Sequence, residues 1–410
     1  MTQPTMSVRE ALTALATPEG RRDPYPLYEV LRGHGDPARS GPGRLVVTGY
    51  RTCSLALRDN TLLVPDSTAY DETRPGWRRH SSLRGFTDSM LFSNPPDHGR
   101  LRALVGFAFT PPRVGELRSV IEGMADRLLD RLAGPAARGE PVDLVEEFAA
   151  RLPMAVISTM LGFPERDERW FRETAAAVAV STDGMPDETA MARADSAMDA
   201  LTAYFGKVTG ERREQPGGDL VTHLTRVRDA TPQRLSEAEL MGNLMVLLTA
   251  GFETTSFLIA HGVLLALAHP DHARRLRTDP DFAPGFVEEA LRMEPPVHLT
   301  SRLASADTEL DGTALPRGTR LTLVLAAANR DPERFIDPHR FVPDRPGNQS
   351  LSFGAGGHFC LGAPLARLEA AIALPRLLRR FPSMRTAGAP VHRDRRVVRG
   401  LARMPLYLAD

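Results

Sequence analysis

The 410-residue sequence predicts a mainly α-helical globular protein with a minor β region. Three observations predict it. Helical periodicity dominates from Asp97 onward and is longest over Glu237–Ala268. Short strand-like segments with glycine turns concentrate between Pro295 and Val324. Gly and Pro are spread throughout, with no internal repeat and no low-complexity linker, as in one compact unit. The chain is therefore read as a single domain over residues 1–410.

Composition narrows the function classes. Basic and acidic residues are equal at 51 each, which argues against a chain that coats nucleic acid and against an acidic tail. Two cysteines exclude a disulfide scaffold and any multi-cysteine metal cluster. Lys207 is the only lysine, and arginine takes its place elsewhere, as in proteins from GC-rich genomes.

The elements follow in chain order. A short helix is expected around Leu27–Arg32, a strand pair around Gly43–Thr48, and a helix over Tyr50–Asn60. Residues 66–96 have weak periodicity and read as a long loop with one short helix. The pattern is helical over Asp97–Ala133, Leu144–Leu161, Arg166–Ser181 and Glu188–Glu214, the last two separated by a break at residues 182–186. Glu237–Ala268 is one long helix closed by His269-Pro270, and residues 271–293 give two more. Strands fit Arg302–Leu303, Glu309–Leu310 and Arg320–Val324, with Asp311-Gly312 and Arg317-Gly318 as turns. Residues 330–360 are irregular, and a loop of that length inside a compact domain is usually functional. A last core helix fits Leu361–Arg380, and Val397–Leu408 has room for one more strand pair.

Leu244–Ala268 is apolar enough to suggest a membrane span, but it carries Glu253 and His261. A charge at the centre of a lone spanning helix costs about 2.5–3.5 kcal/mol, so a core helix fits better. Met1–Asp23 lacks the apolar run of a signal peptide. The expectation is a cytoplasmic protein with no membrane contact, in which Asn348-Gln349-Ser350 is not a glycosylation site.

The strongest motif is Phe353-Gly354-Ala355-Gly356-Gly357-His358-Phe359-Cys360-Leu361-Gly362. Its glycines let the backbone fold tightly and turn N–H groups inward. A helix is expected directly after Cys360, and its N-terminal partial charge favours thiolate over a thiol whose ordinary pKa is about 8.5. A single thiolate, with a macrocycle supplying the other bonds, is a haem-iron ligation. A buried structural cysteine and a nucleophilic Cys–His pair are the alternatives.

Phe353-Gly354-x-Gly356-x-His358-x-Cys360-x-Gly362 resembles the haem-binding signature of the cytochrome P-450 family, in its soluble bacterial form. The resemblance covers essentially the whole chain and implies the cytochrome P-450 fold, with Glu237–Ala268 as the long central helix over the haem. It implies Cys360 as the metal ligand and haem b (iron protoporphyrin IX) as cofactor, with Phe353, Gly354, His358 and Gly362 around it. Glu289 and Arg292, three apart on one helix, resemble the family's structural Glu-x-x-Arg pair, with Arg340 as its third partner. Ala250-Gly251-Phe252-Glu253-Thr254-Thr255 resembles the oxygen-binding groove. Its glycine costs about 1 kcal/mol in mid-helix, and a packing glycine with a back-bonded threonine explains the same residues. By the resemblance Ala250 and Gly251 flank the cofactor, and Glu253 and Thr254 deliver protons. His98 and Arg102, at i and i+4, resemble propionate ligands, as do Arg302 and His358. Cys53 lacks a glycine loop and reads as a small core residue.

The implied reaction is reductive activation of dioxygen, with one oxygen atom hydroxylating or epoxidising a small hydrophobic substrate and the other leaving as water. The chain has no dinucleotide fingerprint and no fused reductase, so electrons from NAD(P)H come through an external ferredoxin or flavodoxin and its reductase. Arg113, Arg367 and Arg376 are candidate docking cations. Substrate walls are expected at Leu83, Phe86, Met90, Leu91 and Phe92, at Val246 and Leu247, and at Val297 and Leu299, with Leu401 nearby. The helices around the 182–186 break would form a lid. The protein is expected to be a monomer in bacterial secondary metabolism. The alternatives are a haem-thiolate peroxygenase or oxidative coupling enzyme and, in a different class, a non-catalytic helical protein with a structural cysteine. The Glu253-Thr254 pair favours the monooxygenase.

Overall fold

The computed structural model describes residues 6–183 and 186–409. These residues form two compact units. The first takes its residues from Met1–Pro65, His261–Cys360 and Pro390–Ala402, and the second from Asp66–Ala260, Leu361–Ala389 and Arg403–Asp410.

The first unit is built on a five-stranded mixed sheet. Its order is Ala38–Gly41, Arg44–Val47, Arg320–Val324, Leu299–Ala304 and Leu62–Leu63, with only the Arg44–Val47 and Arg320–Val324 pair parallel. Both faces are buried, so alternate residues feed different cores. Leu45, Val47, Leu321 and Leu323 pack with Cys53 and Leu57, whereas Val46 and Val324 pack with Tyr28 and Leu31. Cys53 is the buried core residue expected, its Sγ 3.6 Å from the Val47 carbonyl. Asp311-Gly312 and Gly318 turn with positive φ, as their sequence suggests.

The second unit is almost wholly helical, with a small sheet of Pro141–Asp143, Pro405–Tyr407 and Arg385–Thr386. The long helix spans Glu237–Ala268 as expected, and Glu188–Glu214 also keeps its expected bounds. Glu237–Ala268 is long and apolar enough to cross a membrane, and 67% of its most apolar window is buried inside the fold.

Several expectations need correction. Residues 66–96 hold two α-helices, Ser67–Thr73 and Ser81–Thr87, rather than one in a long loop. Caps and tertiary bonds create them where periodicity is absent. Asp66 caps the first by accepting from the Ala69 N–H at 3.1 Å, and Asp195 accepts from the Ser82 N–H and Oγ at 3.0 and 2.7 Å. The Asp97–Ala133 pattern is cut at Thr110, where Pro111 starts a new helix. Leu144–Leu161 opens with a π-helical turn, Val145–Ala149, before the α-helix Arg151–Leu161. Pro153, which lacks an N–H, falls in that helix's first turn. The helix Leu220–Ala230, capped by Asp219, stands where no element was expected. The last helix begins at Ala363, not directly after Cys360. In the tail, Leu401–Arg403 and Pro405–Tyr407 are strands but do not pair with each other, because the single residue between them leaves no room for a turn. The expected lid break at 182–186 includes Gly184 and Met185, which lie outside the described residues.

Candidate active site

The cysteine loop closes on its own backbone. Gly354 N–H donates to the Leu351 carbonyl, Phe359 N–H to Gly356, and Cys360 N–H to Phe353, at 2.8, 3.1 and 2.8 Å. Those donors are thus spent on shaping the loop rather than on the sulfur. The N–H groups of Leu361, Gly362 and Ala363 make no backbone hydrogen bond among the described residues, as is usual where a helix begins. Gly354 and Gly356 have φ of 69° and 68°. A Cβ on Gly356 would lie 2.4 Å from the Leu57 carbonyl oxygen, so the helix Tyr50–Arg58 serves as a backstop that only glycine can touch. Cys360 ends up exposed, whereas Cys53 is fully buried, and the two are not joined in a disulfide.

A buried network braces the loop from behind. Glu289 and Arg292 are both 0% exposed and form a bidentate pair at 2.8 Å. The Glu289 carboxylate also accepts from Val342 N–H, Arg345 Nε and Asn348 Nδ2. Arg292 donates to the carbonyls of Asn329, Pro338 and Arg340. Every lone pair and proton of this ion pair is answered, which is what a buried charge requires. Asn329 then holds Leu351 N–H at 2.7 Å and Ser352 Oγ at 2.8 Å, which carries the network into the start of the loop.

The third side chain on Glu289 is Arg345, not Arg340. The Arg340 guanidinium is 75% exposed and pairs with Asp337, offering only its carbonyl to Arg292. Positive φ at Asp337 turns the chain there, and Arg345 is the guanidinium that reaches inward, its side chain 7% exposed. Arg345, Asn348, Asn329 and Ser352 carried no sequence signal that separates them from other polar loop residues.

Arg302 differs from these arginines. It is 4% exposed and its only hydrogen bond goes to the adjacent Ser301 carbonyl, with no acid paired to it among the described residues. Burial lowers its pKa to about 10. A buried guanidinium without a counter-ion is costly, and a carboxylate-bearing ligand is what it fits.

In the second unit, His98 and Arg102 lie on the helix Asp97–Gly106. His98 is buried, and that burial, followed by the Arg102 charge, holds its pKa below the ordinary value. Arg100 instead pairs with Asp97 and Glu239, tying this helix to the start of the long one. Between Leu240 and Ala260 the long helix is buried except at Ala250, Gly251 and Thr254. These three share one face at i, i+1 and i+4, so a single turn of the helix is open. Gly251 also has a packing reason, since a Cβ there would meet Ile157 at 3.1 Å. Thr254 Oγ1 donates back to the Ala250 carbonyl at 2.9 Å, and Glu253 is buried.

The expected substrate residues are placed unevenly. Phe86 packs on Phe92 beside Leu83, Tyr70 and Trp77 in a satellite core. Val246 and Leu247 are buried in the long helix, Val297 packs on the sheet core, and Leu91 is 44% exposed. Of the docking cations, Arg113 pairs with Glu116, and Arg376 is held by Glu122 and Asp126 at 3.4 and 3.2 Å. Arg376 is therefore neutralised within the fold.

An accessible cysteine braced from behind and a buried cation awaiting an acid suit a thiolate-ligated haem with its propionates, which defines a haem-thiolate enzyme. The family model for cytochrome P450 matches residues 60–396, and the chain belongs to the cytochrome P450 family. It is 40% identical over 395 residues to the cytochrome P450 monooxygenase PikC of Streptomyces venezuelae, covering 94% of this chain and 91% of that one. It is 45% identical over 375 residues to cytochrome P450 107B1 of Saccharopolyspora erythraea, covering 88% of each. Among solved structures it resembles P450BioI in complex with an acyl carrier protein, with a TM-score of 0.87, 33% identity, and 95% and 99% of the two chains covered. The ligand-free Mycobacterium smegmatis CYP164A2 superposes with a TM-score of 0.87 at 35% identity, covering 98% and 100%. The protein is a cytochrome P450 monooxygenase, an oxidoreductase that incorporates oxygen, and its family uses haem iron and dioxygen.

Proposed function

We propose that this enzyme hydroxylates or epoxidises a small hydrophobic molecule in bacterial secondary metabolism. It works as a cytoplasmic haem domain. Electrons reach it from NAD(P)H through a ferredoxin or flavodoxin and its reductase. Haem iron, when bound, supplies the reductive activation of dioxygen.

The chain's own residues hold and orient. Cys360 offers its thiolate to the iron from a loop fixed by the Glu289–Arg292 network and by the Leu57 backstop. Phe353, Gly354, His358 and Gly362 shape that loop. Arg302, His98, Arg102 and His358 take the propionates. The Thr254 hydroxyl donates to Ala250 and keeps its lone pairs for an incoming proton donor, and Glu253 is the nearby acid. Ala250 and Gly251 keep that turn low.

The observation that carries the reading is the exposure of Cys360 at the end of so rigid a loop, since cysteine is ordinarily among the most buried residues. The test is the spectrum of the reduced, carbon-monoxide-bound protein. A strongly red-shifted Soret band is expected, and Cys360→Ala should abolish it. An unchanged band in that variant would place the ligand elsewhere.

A further inference from the structure

Two of the expected substrate walls, Phe86 and Met90, ride on a segment that cannot hold itself. Its helix, Ser81–Thr87, has seven residues, and isolated helices are marginal even at about 12. His80 stands at the N-cap and its side chain makes no cap bond. The Asp195 carboxylate of the helix Glu188–Glu214 supplies that cap instead. One oxygen accepts from Ser82 N–H and Oγ at 3.0 and 2.7 Å, and the other lies 2.7 Å from His80 Nδ1.

The far end is held by Asn243 of the long helix, which is 2% exposed. Its Nδ2 donates to the Glu239 carbonyl at 2.7 Å, within its own helix, and its Oδ1 accepts from Met90 N–H at 3.1 Å. The first bond fixes the amide so that the second has one orientation. Asparagine is a poor helix former, and here it is buried beside Leu240, Met241, Leu244 and Met245. Its two bonds offset the cost of burying an amide in such company. Next to it the segment lies directly on the helix: a Cβ on Gly242 would be 2.6 Å from the Gly85 carbonyl oxygen. On the other side Met198 bears on Gly85, where a Cβ would clash with its Cε. These apolar contacts set how closely the segment approaches, but they are non-directional and leave it free to slide. The hydrogen bond to Asn243 is directional and fixes its register.

Asn243 and Ala250 are seven residues apart, so they share one face of the long helix, about 10 Å apart along its axis. The segment therefore takes its register from the same helix that carries the open turn. We propose that Asn243 is a specificity-determining positioning residue, whose amide sets where the wall at Phe86 and Met90 stands relative to the open turn and so which apolar bodies fit between them. The inference rests on the proposed function, in which that turn borders the reacting centre and this segment borders the substrate.

The test is spectral titration of the holoenzyme with imidazole and with econazole. Both ligate iron through an imidazole nitrogen, so the ratio of their affinities isolates the apolar body that only econazole carries. The variants are Asn243→Leu, which keeps the bulk and removes both bonds, and the milder Asn243→Ser, which is too short to reach Met90. Thr225→Val is the control, since it removes a buried hydroxyl bond to the Val221 carbonyl within the helix Leu220–Ala230. The econazole-to-imidazole ratio should change at least fivefold in both Asn243 variants and stay within twofold in Thr225→Val. An unchanged ratio in the Asn243 variants would overturn the proposal. So would an equal change in Thr225→Val, because loss of any buried bond would then suffice. The carbon-monoxide spectrum, recorded on the same samples, reports the iron ligand separately: a missing red-shifted band in the wild type defeats the proposed function, and an unchanged ratio beside an intact band defeats only the role of Asn243.

Discussion

Arg292 and Arg302 are both buried in the same unit, and they are provided for in opposite ways. Arg292 has a bidentate carboxylate and three carbonyls. Arg302 has one carbonyl and, among the described residues, no acid. A buried charge with every valence met inside the chain is part of the scaffold. One left unmet suits a partner from outside, and the cost of holding it uncompensated would be offset by such a ligand.

The largest expected effect breaks the satisfied side. Arg292→Met leaves Glu289 buried without its principal partner and should cost about 3–5 kcal/mol, read as a lower urea midpoint. A loss under about 1 kcal/mol would mean the network is not a brace. The mirror experiment is Arg302→Met. The haem-free protein should be as stable as wild type or more so, while haem affinity drops about ten- to hundredfold, the equivalent of one charge-assisted bond. If the two variants lose equal stability, the contrast between them fails.

The pH dependence sharpens the same idea from a third buried group. Burial, reinforced by the Arg399 charge, lowers His261 to about 3. The unfolded chain, with an ordinary histidine pKa of about 6.5, takes up that proton first. The stability contributed by neutral His261 is therefore fully present above about pH 6.5 and lost as the pH falls toward 3. By pH 5 the loss is about 2 kcal/mol. His261→Phe should flatten the acid limb of a denaturation series, and an unaltered limb would remove His261 from the account. The smallest effect on stability is Thr254→Ala, under about 0.5 kcal/mol, because its hydroxyl bonds only within its own helix. That variant should keep its haem but divert reducing equivalents to peroxide, and fully coupled turnover would take Thr254 out of proton delivery.

The cysteine motif, the Glu-x-x-Arg pair and the long helix were legible because each is local, with spacing or periodicity that a single element imposes. Arg345 was not, because its role depends on where the chain turns at Asp337, and Arg340 looked equally suitable in the linear sequence. The helices Ser67–Thr73 and Ser81–Thr87 were hidden for a related reason, since Asp66 and Asp195 define them through bonds that periodicity does not register. The tail strands were visible as strands, but their partners, Val391–His392 and Pro141–Asp143, were not. Pairing is decided by the rest of the fold.

The open turn on the long helix has a consequence for how such an enzyme diversifies. Between Leu240 and Ala260 this helix exposes only Ala250, Gly251 and Thr254. Most side chains flanking them are committed to packing and have little latitude to change. On the proposed function, variation in selectivity falls to segments such as residues 81–92, which are attached by a few polar bolts, among them Met90 N–H to Asn243 and Ser82 to Asp195. Loosening one bolt would shift that segment while the open turn stays where it is.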